Sequence, residues 1–379
     1  MATDEKQIKV KENDKLVFPE FDSIKVSTKT FIIMTNITII DLKKLHEVLP
    51  MTDYVLVPKR RGRKKKTEAI DPNKDIKSGS IISLEYMGKI RGVDLKKKKK
   101  KTKDKKNEGK YFRNSVSVVM MMEGKKINYK VSRNGKFQMT GCKFDSQVES
   151  CVKLFWHYIK DIDNLYTITD MLTLDKHDKD DKHDKHDKDD NHDKDDNHDK
   201  NKYFKAIFIP AMRNIDFSLN FFVDREKLDE YINTCTEYHS LLETSFGYTG
   251  VNIKIPLKKD IKELKLKNII FDIEKDLWLD YKFIKYSDYL DLLPSKEVAK
   301  KLKKIRYNTF LVFHSGRAIF SGLEEGFMRG TYYEFLDIIR SCYNLIEERL
   351  QVDTFNEKKS VLDSNEEDEE EDEEENEDI

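Results

Sequence analysis

The feature that most constrains the fold is a ten-residue pattern that occurs twice. It reads SRNGKFQMTG at 132–141 and FHSGRAIFSG at 313–322, 181 residues later. Each copy has a glycine followed by a basic residue and then, after three more residues, a hydroxyl residue and a second glycine. A glycine between two short runs rich in β-branched and aromatic residues is typical of a β-hairpin. The repetition predicts one structural unit that occurs twice along the chain.

Two further landmarks recur at nearly the same spacing and in the same order. DLKKL at 41–45 is followed by DREKL at 224–228, and helical apolar faces at 148–162 and 332–346 close the two halves. Each half therefore reads as strand, helix, several strands and helix. This order predicts an α+β unit with antiparallel strands on one face and helices on the other. Two such units side by side predict one curved sheet.

The first repeat is predicted at 25–165 and the second at 203–350. The predicted strands are 30–40, 80–88, 114–122, 127–132, 136–140, 204–223, 251–257, 308–313 and 317–321. The predicted helices are 41–49, 148–162, 224–232 and 332–346. These assignments rest on period-two alternation for strands, 3.6-residue periodicity for helices, and Asp41 as a helix cap.

The remaining segments are charged or of low complexity. They are a flexible leader at 1–24, basic insertions at 58–79 and 92–110, an Asp/His/Lys linker at 166–202, a partly helical insertion at 258–306 and a disordered acidic tail at 351–379. Positions 366–378 hold 12 acids, so the zero net charge hides a surplus of about 12 positive charges elsewhere. A basic body with an acidic tail indicates a surface for polyanions and a tail that competes for it.

Several classes of function find no support in the sequence. The four cysteines lack zinc spacing, His46, His157, His239 and His314 are isolated, and no motif of a hydrolase, metalloprotease or nucleotide-binding loop is present. We therefore expect no catalysis, cofactor or metal. The N-terminus lacks the apolar run of a secretory signal, so secretion is not expected.

In this order the landmarks resemble the TATA-binding protein family, whose two repeats form a saddle with helices on its convex face. The last hairpin of that family has a pattern like LIFxSGKxxxTGAK. This chain has YKVSRNGKFQMTGCK at 129–143 and FLVFHSGRAIFSGL at 310–323, and RNIDFSLNF at 213–221 is similar to the family's QNIVGSCDV. The large insertions are typical of a divergent member from a protist or a large DNA virus.

The resemblance implies a set of DNA-contacting residues. In the second half, Phe313 falls on a position that wedges between base pairs, and Phe246 or Tyr248 falls near the other. The other implied groove contacts of that half are Asn214, Ile319 and Ser321. On the residues alone, Phe313, Ile319 and Phe246 fit the core equally well, because alternation turns half of the strand side chains toward the helices.

The first half departs from the family pattern. Thr140 and Gln138 fall on groove-facing positions, but the two wedge positions are occupied by Ser115 and Ser132. The position of the family's Asn is occupied by Lys29, or by Asn36 if the strand is shifted. Missing wedges imply that one end of the saddle bends DNA less than the other. The expected phosphate contacts are Lys59, Arg60, Arg61, Arg63, Lys64, Lys65, Lys96, Lys97 and Lys98.

The resemblance implies a non-enzymatic initiation factor that binds AT-rich promoter DNA in the minor groove. Its implied partners are a transcription factor IIB-like protein and an RNA polymerase, in the nucleus or in a cytoplasmic viral factory. One alternative is a degenerate scaffold that binds transcription proteins without specific DNA recognition, which the Ser-substituted first half keeps open. A second alternative is an accessory domain of a nucleic-acid enzyme.

Overall fold

The protein is a mixed α+β molecule whose strands are antiparallel. The structure, a computed structural model, describes residues 16–57, 72–95, 112–171, 202–243 and 250–348. Its strands are β1 (Val26–Thr35), β2 (Ile37–Ile40), β3 (Ile81–Tyr86), β4 (Lys89–Gly92), β5 (Ser115–Met122), β6 (Lys125–Ser132), β7 (Phe137–Cys142), β8 (Thr169–Met171), β9 (Tyr203–Ser218), β10 (His239–Glu243), β11 (Gly250–Pro256), β12 (Lys265–Asp272), β13 (Leu277–Trp278), β14 (Lys282–Lys285), β15 (Tyr307–Phe313) and β16 (Arg317–Gly322). Its helices are α1 (Leu42–Val48), α2 (Asp145–Tyr166), α3 (Arg225–Cys235), α4 (Tyr286–Asp291), α5 (Ser295–Leu302) and α6 (Glu325–Ile346).

The chain divides into two compact units. The central unit comprises Thr28–Met212 and Asp260–Lys301, and the terminal unit comprises Met1–Ser27, Arg213–Lys259 and Leu302–Ile379. This division differs from the predicted repeats, because 203–212 and 260–301 belong to the central unit rather than with 213–259.

In the central unit the strand order β1-β7-β6-β5-β3-β4 forms a sheet covered by α1 and α2 on one face. Alternate strand residues enter the core: Val116 and Val118 of β5, and Phe137 and Met139 of β7, are buried. Phe155 of α2 packs edge-on against the ring of Phe137 at 5.6 Å. Because every second residue of these strands is buried, the strands could be predicted from the alternation of apolar residues in the sequence.

The insertion predicted at 258–306 is folded between 260 and 301 and includes strands as well as helices. Its strand β12 pairs with β9 from Lys267↔Phe208 to Asp272↔Tyr203. The indole of Trp156 in α2 stacks on Phe204 with ring centroids 3.9 Å apart, and Phe271 and Trp278 of the insertion pack against the same rings. This aromatic cluster is the physical reason why the insertion belongs to the central unit.

In the terminal unit the strand order is β10-β11-β15-β16-β9, with α3 and α6 over one face. The rings of Phe310 and Phe320 stack with centroids 4.1 Å apart, and Phe335 of α6 stacks on Phe310 at 3.9 Å. Tyr332 of α6 is fully buried beside them. These aromatic side chains explain the apolar periodicity of both the hairpin and the helix.

Residues 16–24 correct the prediction of a flexible leader over 1–24. Phe18 and Phe21 are buried in the terminal core, and the hydroxyl of Tyr332 donates to the carbonyl of Pro19 at 2.6 Å. Arg329 forms a bidentate ion pair with Asp22 at 2.6 and 2.5 Å. Two aromatic anchors and this ion pair hold the segment against α6, and we call residues 16–24 the strap.

Two other boundaries differ from the predictions. The strand predicted at 30–40 is divided at Asn36 into β1 and β2, because the Asn36 side chain bonds the backbone of β9. The prediction of a linker at 166–202 is wrong for residues up to 171, since Ile168 is buried and β8 pairs with β2. None of the helices in the described ranges is long and apolar enough to cross a membrane. Most of the predicted linker, the acidic tail and both basic runs lie outside the described residues.

Candidate nucleic-acid interface

The predicted second-half residues share one face of the terminal sheet. Along β15 and β16, Phe310, Val312, Ala318 and Phe320 are buried toward the helices, so the residues between them point the other way. Ser321 lies directly opposite Asn214, and Phe313 lies one residue beyond buried Val312. We call this helix-free face the terminal open face; its predicted members are Asn214, Phe313, Ile319 and Ser321.

The terminal open face also contains apolar residues that the resemblance did not name. Leu311 lies opposite Ile319 on one side and opposite Asn252 on the other. Leu241, which is 61% exposed, lies opposite Asn252. Directly opposite residues have adjacent side chains, so these residues form a continuous row across four strands. In NTFLVF at 308–313, Leu311 and Phe313 are two residues apart, and this alternation predicts that Leu311 lies on the same face as Phe313.

One acid interrupts this face. Asp216 lies directly opposite Ile319, between Asn214 and Ser218 on β9, and it is exposed. The hydroxyl of Ser27 donates to Asp216 Oδ1 at 3.3 Å, and no ion pair of Asp216 is recorded within the described ranges. Asp216, Ser218, Phe313, Arg317 and Ile319 line a shallow depression of about 690 Å³. Asp216 was not among the predicted residues, although its position two residues after Asn214 on the same strand places it on this face.

The predicted first-half residues lie on the helix-free face of the central sheet. Ser115 is opposite Ser132, Gln138 is opposite Lys130, and Thr140 is opposite Asn128. The residues that alternate with them, such as Val131, Phe137 and Met139, are buried under α2. We call this surface the central open face.

The central open face is polar at the four predicted positions and also carries lysines, with apolar Ile32 opposite Gln138 and Val119 opposite Asn128. The ammonium of Lys130 lies 4.0 Å from the ring centroid of Phe112, and that of Lys126 lies 4.2 Å from the ring of Tyr54. Two lysines and several hydroxyl and amide groups suit contacts with phosphate and sugar rather than apolar insertion. Glu85 of β3, which lies opposite Ile90 of β4, is an acid at the edge of this face.

Neither candidate for the first-half Asn position is free for a ligand. The Asn36 amide donates to the carbonyl of Tyr203 at 2.9 Å, and its Oδ1 accepts from the Lys205 amide at 2.8 Å. Asn36 is buried and serves to join β1 to β9. Lys29 forms an ion pair with Asp145 at 2.7 Å.

The other predicted contacts fall outside the residues that the structure describes. They are Phe246, Tyr248, Lys59, Arg60, Arg61, Arg63, Lys64, Lys65, Lys96, Lys97 and Lys98.

The two hairpins have matching surroundings. Gly135 and Gly316 both have positive φ, of 67° and 74°. A Cβ on Gly135 would lie 2.3 Å from the Ile37 carbonyl oxygen, and one on Gly316 would lie 2.0 Å from that of Phe221. Each position therefore requires glycine for its conformation and for its close approach to backbone.

The chain that follows each long strand is also held in the same way. The Ile40 amide donates to the carbonyl of Arg133 at 2.7 Å, and the Val223 amide donates to that of His314 at 2.9 Å. One residue later, the carboxylates of Asp41 and Asp224 cap α1 and α3, accepting from the amides of Lys44 and Lys227.

The titratable groups of the described chain form no compact reactive cluster. No three His, Cys, Asp or Glu residues in the described ranges come together as metal ligands would. Burial raises the pKa of the Cys142 thiol to about 11 and those of Cys151 and Cys342 to about 12. Raised pKa values keep these thiols protonated and unreactive.

The chain is similar to a viral protein in sequence and to a solved structure at low identity. The chain is 23% identical over 246 residues to Uncharacterized protein 335L of Invertebrate iridescent virus 6, a match that covers 62% of this chain and 63% of that protein. The chain thus spans less than two thirds of the length of that relative. The solved structure of the TBP of Methanococcus jannaschii is similar at 12% identity and a TM-score of 0.37, covering 85% of this chain and 99% of that one. That score is too low to establish a shared fold, and no family model matches the chain.

Proposed function

We propose that this chain is a DNA-binding protein of transcription initiation that uses its two open faces to bind AT-rich duplex DNA in the minor groove. The observation that supports this proposal most directly is the position of eight candidate residues. All eight that are described lie on a helix-free sheet face, four in each unit: Asn214, Phe313, Ile319, Ser321, Ser115, Ser132, Gln138 and Thr140.

The chemistry of the terminal open face suits a widened minor groove. Phe313, Leu311 and Ile319 provide apolar surface in a row, and apolar side chains that enter the minor groove unstack and kink the duplex. Asn214 adds amide donors for the acceptor atoms that A·T pairs display there. A partly exposed apolar surface of this kind costs free energy in water, and a bound duplex would remove that cost.

The central open face and the basic runs supply a different kind of contact. Lys126 and Lys130 lie where they can neutralise phosphates, and the basic runs at 59–66 and 96–106 add further charge. Phosphate contacts raise affinity without reading sequence and weaken as salt rises. In this proposal one unit kinks the duplex and the other chiefly holds its backbone.

The matching hairpins support an internal duplication as part of this proposal. Gly135 lies against the carbonyl of Ile37, and Gly316 lies against the carbonyl of Phe221 in the same way. The two carbonyls are 184 residues apart in the sequence. A duplicated unit fits a ligand with approximate twofold symmetry, such as duplex DNA. The chain acts without catalysis, in a nucleus or viral factory, and it recruits a transcription factor IIB-like protein and an RNA polymerase.

A protein-binding scaffold is the second candidate, and Asp216 favours it. A carboxylate on the terminal open face repels the phosphates and acceptor atoms of DNA, whereas it suits a basic protein partner. The serines at both first-half wedge positions also favour the scaffold. A scaffold would retain the fold and lose specific DNA recognition.

Salt dependence separates the two candidates. The full chain is titrated into pools of A·T-rich and of G·C-rich duplexes, with fluorescence anisotropy read over a series of salt concentrations. We expect affinity for both pools to fall with salt while the A·T-rich preference persists, because groove contacts do not depend on counterion release. Equal affinity for both pools with a steep salt slope would exclude minor-groove recognition and support the scaffold.

A further inference from the structure

Asp216 is an acid on a surface where the proposed function needs donors and apolar groups. It lies directly opposite Ile319 and two residues from Asn214 and Ser218 along β9. Its carboxylate therefore shares the terminal open face with the proposed groove contacts. We propose that Asp216 is a specificity-determining residue that selects a G·C pair at one step of an otherwise A·T-rich site. This inference rests on the proposed function, since it assumes that the terminal open face meets the minor groove.

The base edges in the minor groove distinguish G·C pairs from A·T pairs. A·T and T·A pairs display only acceptors there, the adenine N3 and the thymine O2, whereas a G·C pair adds the N2 amino donor of guanine. An ionised carboxylate has acceptors only. Opposite an A·T pair it would lose water and gain no partner, which is costly. Opposite guanine it would accept a charge-assisted hydrogen bond from the amino group.

The carboxylate of Asp216 is not committed elsewhere among the described residues. The Ser27 hydroxyl is shared between the carbonyl of Asn214 at 3.1 Å and Asp216 Oδ1 at 3.3 Å, which leaves acceptor positions on both carboxylate oxygens. Arg317, the cation nearest in register, lies opposite Ser218 rather than Asp216, and no salt bridge joins the two side chains within 4.0 Å in the described ranges.

The neighbours of Asp216 limit the effect to one step. Asn214 offers amide donors on one side, and Ile319 offers an apolar contact opposite. Amide donors fit A·T acceptors, so the flanking steps keep the A·T preference. Only the base pair over Asp216 should show a preference for guanine.

Guanine and inosine provide the test, because inosine pairs with cytosine but lacks the N2 amino group. An A·T-rich duplex is scanned with a single G·C pair and, at each position, with a single inosine·C pair, and affinity for the full chain is measured by anisotropy. We expect one position where G·C binds about tenfold or more tightly than inosine·C, as a hydrogen bond to a charged group would give. Asp216→Val, which has no acceptor, should abolish that difference and should bind the all-A·T duplex more tightly than wild type. Asp216→Asn, which keeps an acceptor but loses the charge, should reduce the difference.

The control variant is Asp337→Asn, which removes the same charge from an exposed position of α6. It should keep the wild-type preference for G·C over inosine·C. If wild type binds G·C and inosine·C equally at every position but still binds the A·T-rich duplex, the role of Asp216 is overturned and the proposed function is not. Failure of the wild type to bind any duplex overturns the proposed function, and this inference with it.

Discussion

Gly316 lies against the main-chain carbonyl of Phe221 so closely that a Cβ at Gly316 would be 2.0 Å from the carbonyl oxygen. The obstacle is backbone, so a side chain there cannot be relieved by a rotamer change. We therefore expect Gly316→Ala to lower the free energy of unfolding by about 3 kcal/mol, from strain at positive φ together with displacement of the contact. Gly135→Ala, against the Ile37 carbonyl, should have a similar effect.

Gly124 and Gly141 are matched controls for these substitutions. Both have positive φ, of 72° and 85°, but a Cβ on either would meet no atom within 4 Å. Their replacement by alanine should cost about 1 kcal/mol from backbone strain alone. Urea unfolding followed by circular dichroism measures all four variants. Equal losses at Gly316 and Gly124 would show that the close approach to the Phe221 carbonyl does not matter.

The strap should contribute strongly to the stability of the terminal unit. Phe21 is 3% exposed, and its ring centroid lies 5.5 Å from that of Tyr332. Phe21→Ala should lower the free energy of unfolding by about 3 kcal/mol, the usual cost of removing a buried phenylalanine.

Phe222→Ala serves as the control for the strap, because that ring is 46% exposed in the same unit. It should cost less than about 1 kcal/mol. Thermal unfolding followed by far-ultraviolet circular dichroism provides the comparison. An unchanged midpoint for Phe21→Ala would mean that residues 16–24 do not form part of the folded unit in solution.

The four thiols should differ sharply in reactivity. Burial holds the pKa of Cys142 at about 11 and those of Cys151 and Cys342 at about 12, whereas Cys235 is exposed. At about pH 8 a disulfide reagent should label one thiol rapidly in the folded protein and four in denaturant. Cys235→Ser should abolish the rapid phase. Rapid labelling of a second thiol in that variant would contradict the burial of the other three.

Glu149 should link the stability of the central unit to pH. Burial raises the pKa of its carboxyl, but Lys153 at 2.7 Å and Lys267 at 2.5 Å outweigh burial and lower the pKa overall. A lowered pKa stabilises the fold above the pKa of the unfolded chain, about 4.3, and this stabilisation is lost as pH falls through the folded value.

Glu149→Gln should therefore lower the free energy of unfolding by about 0.5–1 kcal/mol at neutral pH, a small value because solvent screens these pairs. The difference between wild type and variant should shrink as the pH falls below about 4. Urea unfolding at both pH values measures it. A difference that stays constant with pH would show that ionisation of Glu149 does not contribute.

The local elements of this fold could be predicted from sequence, and its long-range partners could not. The turns at Gly135 and Gly316 and the caps at Asp41 and Asp224 follow from short patterns, because neighbouring residues determine them. The pairing of β12 with β9 joins residues about 60 positions apart and depends on Trp156 and Phe204, which no local pattern connects.

The candidate site shows the same division. The resemblance predicted that Phe313, Ile319 and Ser321 lie on one open face. Alternation alone gave no choice between the core and the open face, and the burial of Phe310 and Phe320 decides it. The strap was missed because Phe18 and Phe21 stand among charged residues, and their burial depends on α6, more than 300 residues later. Asp216 was not predicted because it falls on the valine of the family pattern QNIVGSCDV, which gives no indication of an acid there.

The measurement that tests the central claim most directly is the affinity of an A·T-rich duplex for a variant of the terminal open face. Phe313→Ser with Ile319→Gln introduces the residues found at the corresponding first-half positions, Ser132 and Gln138. The control variant, Phe222→Ser with Leu345→Gln, changes two exposed apolar residues outside that face. If the face binds the groove, anisotropy should show at least about a tenfold loss for the first variant and wild-type affinity for the control. Equal affinity of both variants, with circular dichroism unchanged, would contradict the claim that this face binds DNA.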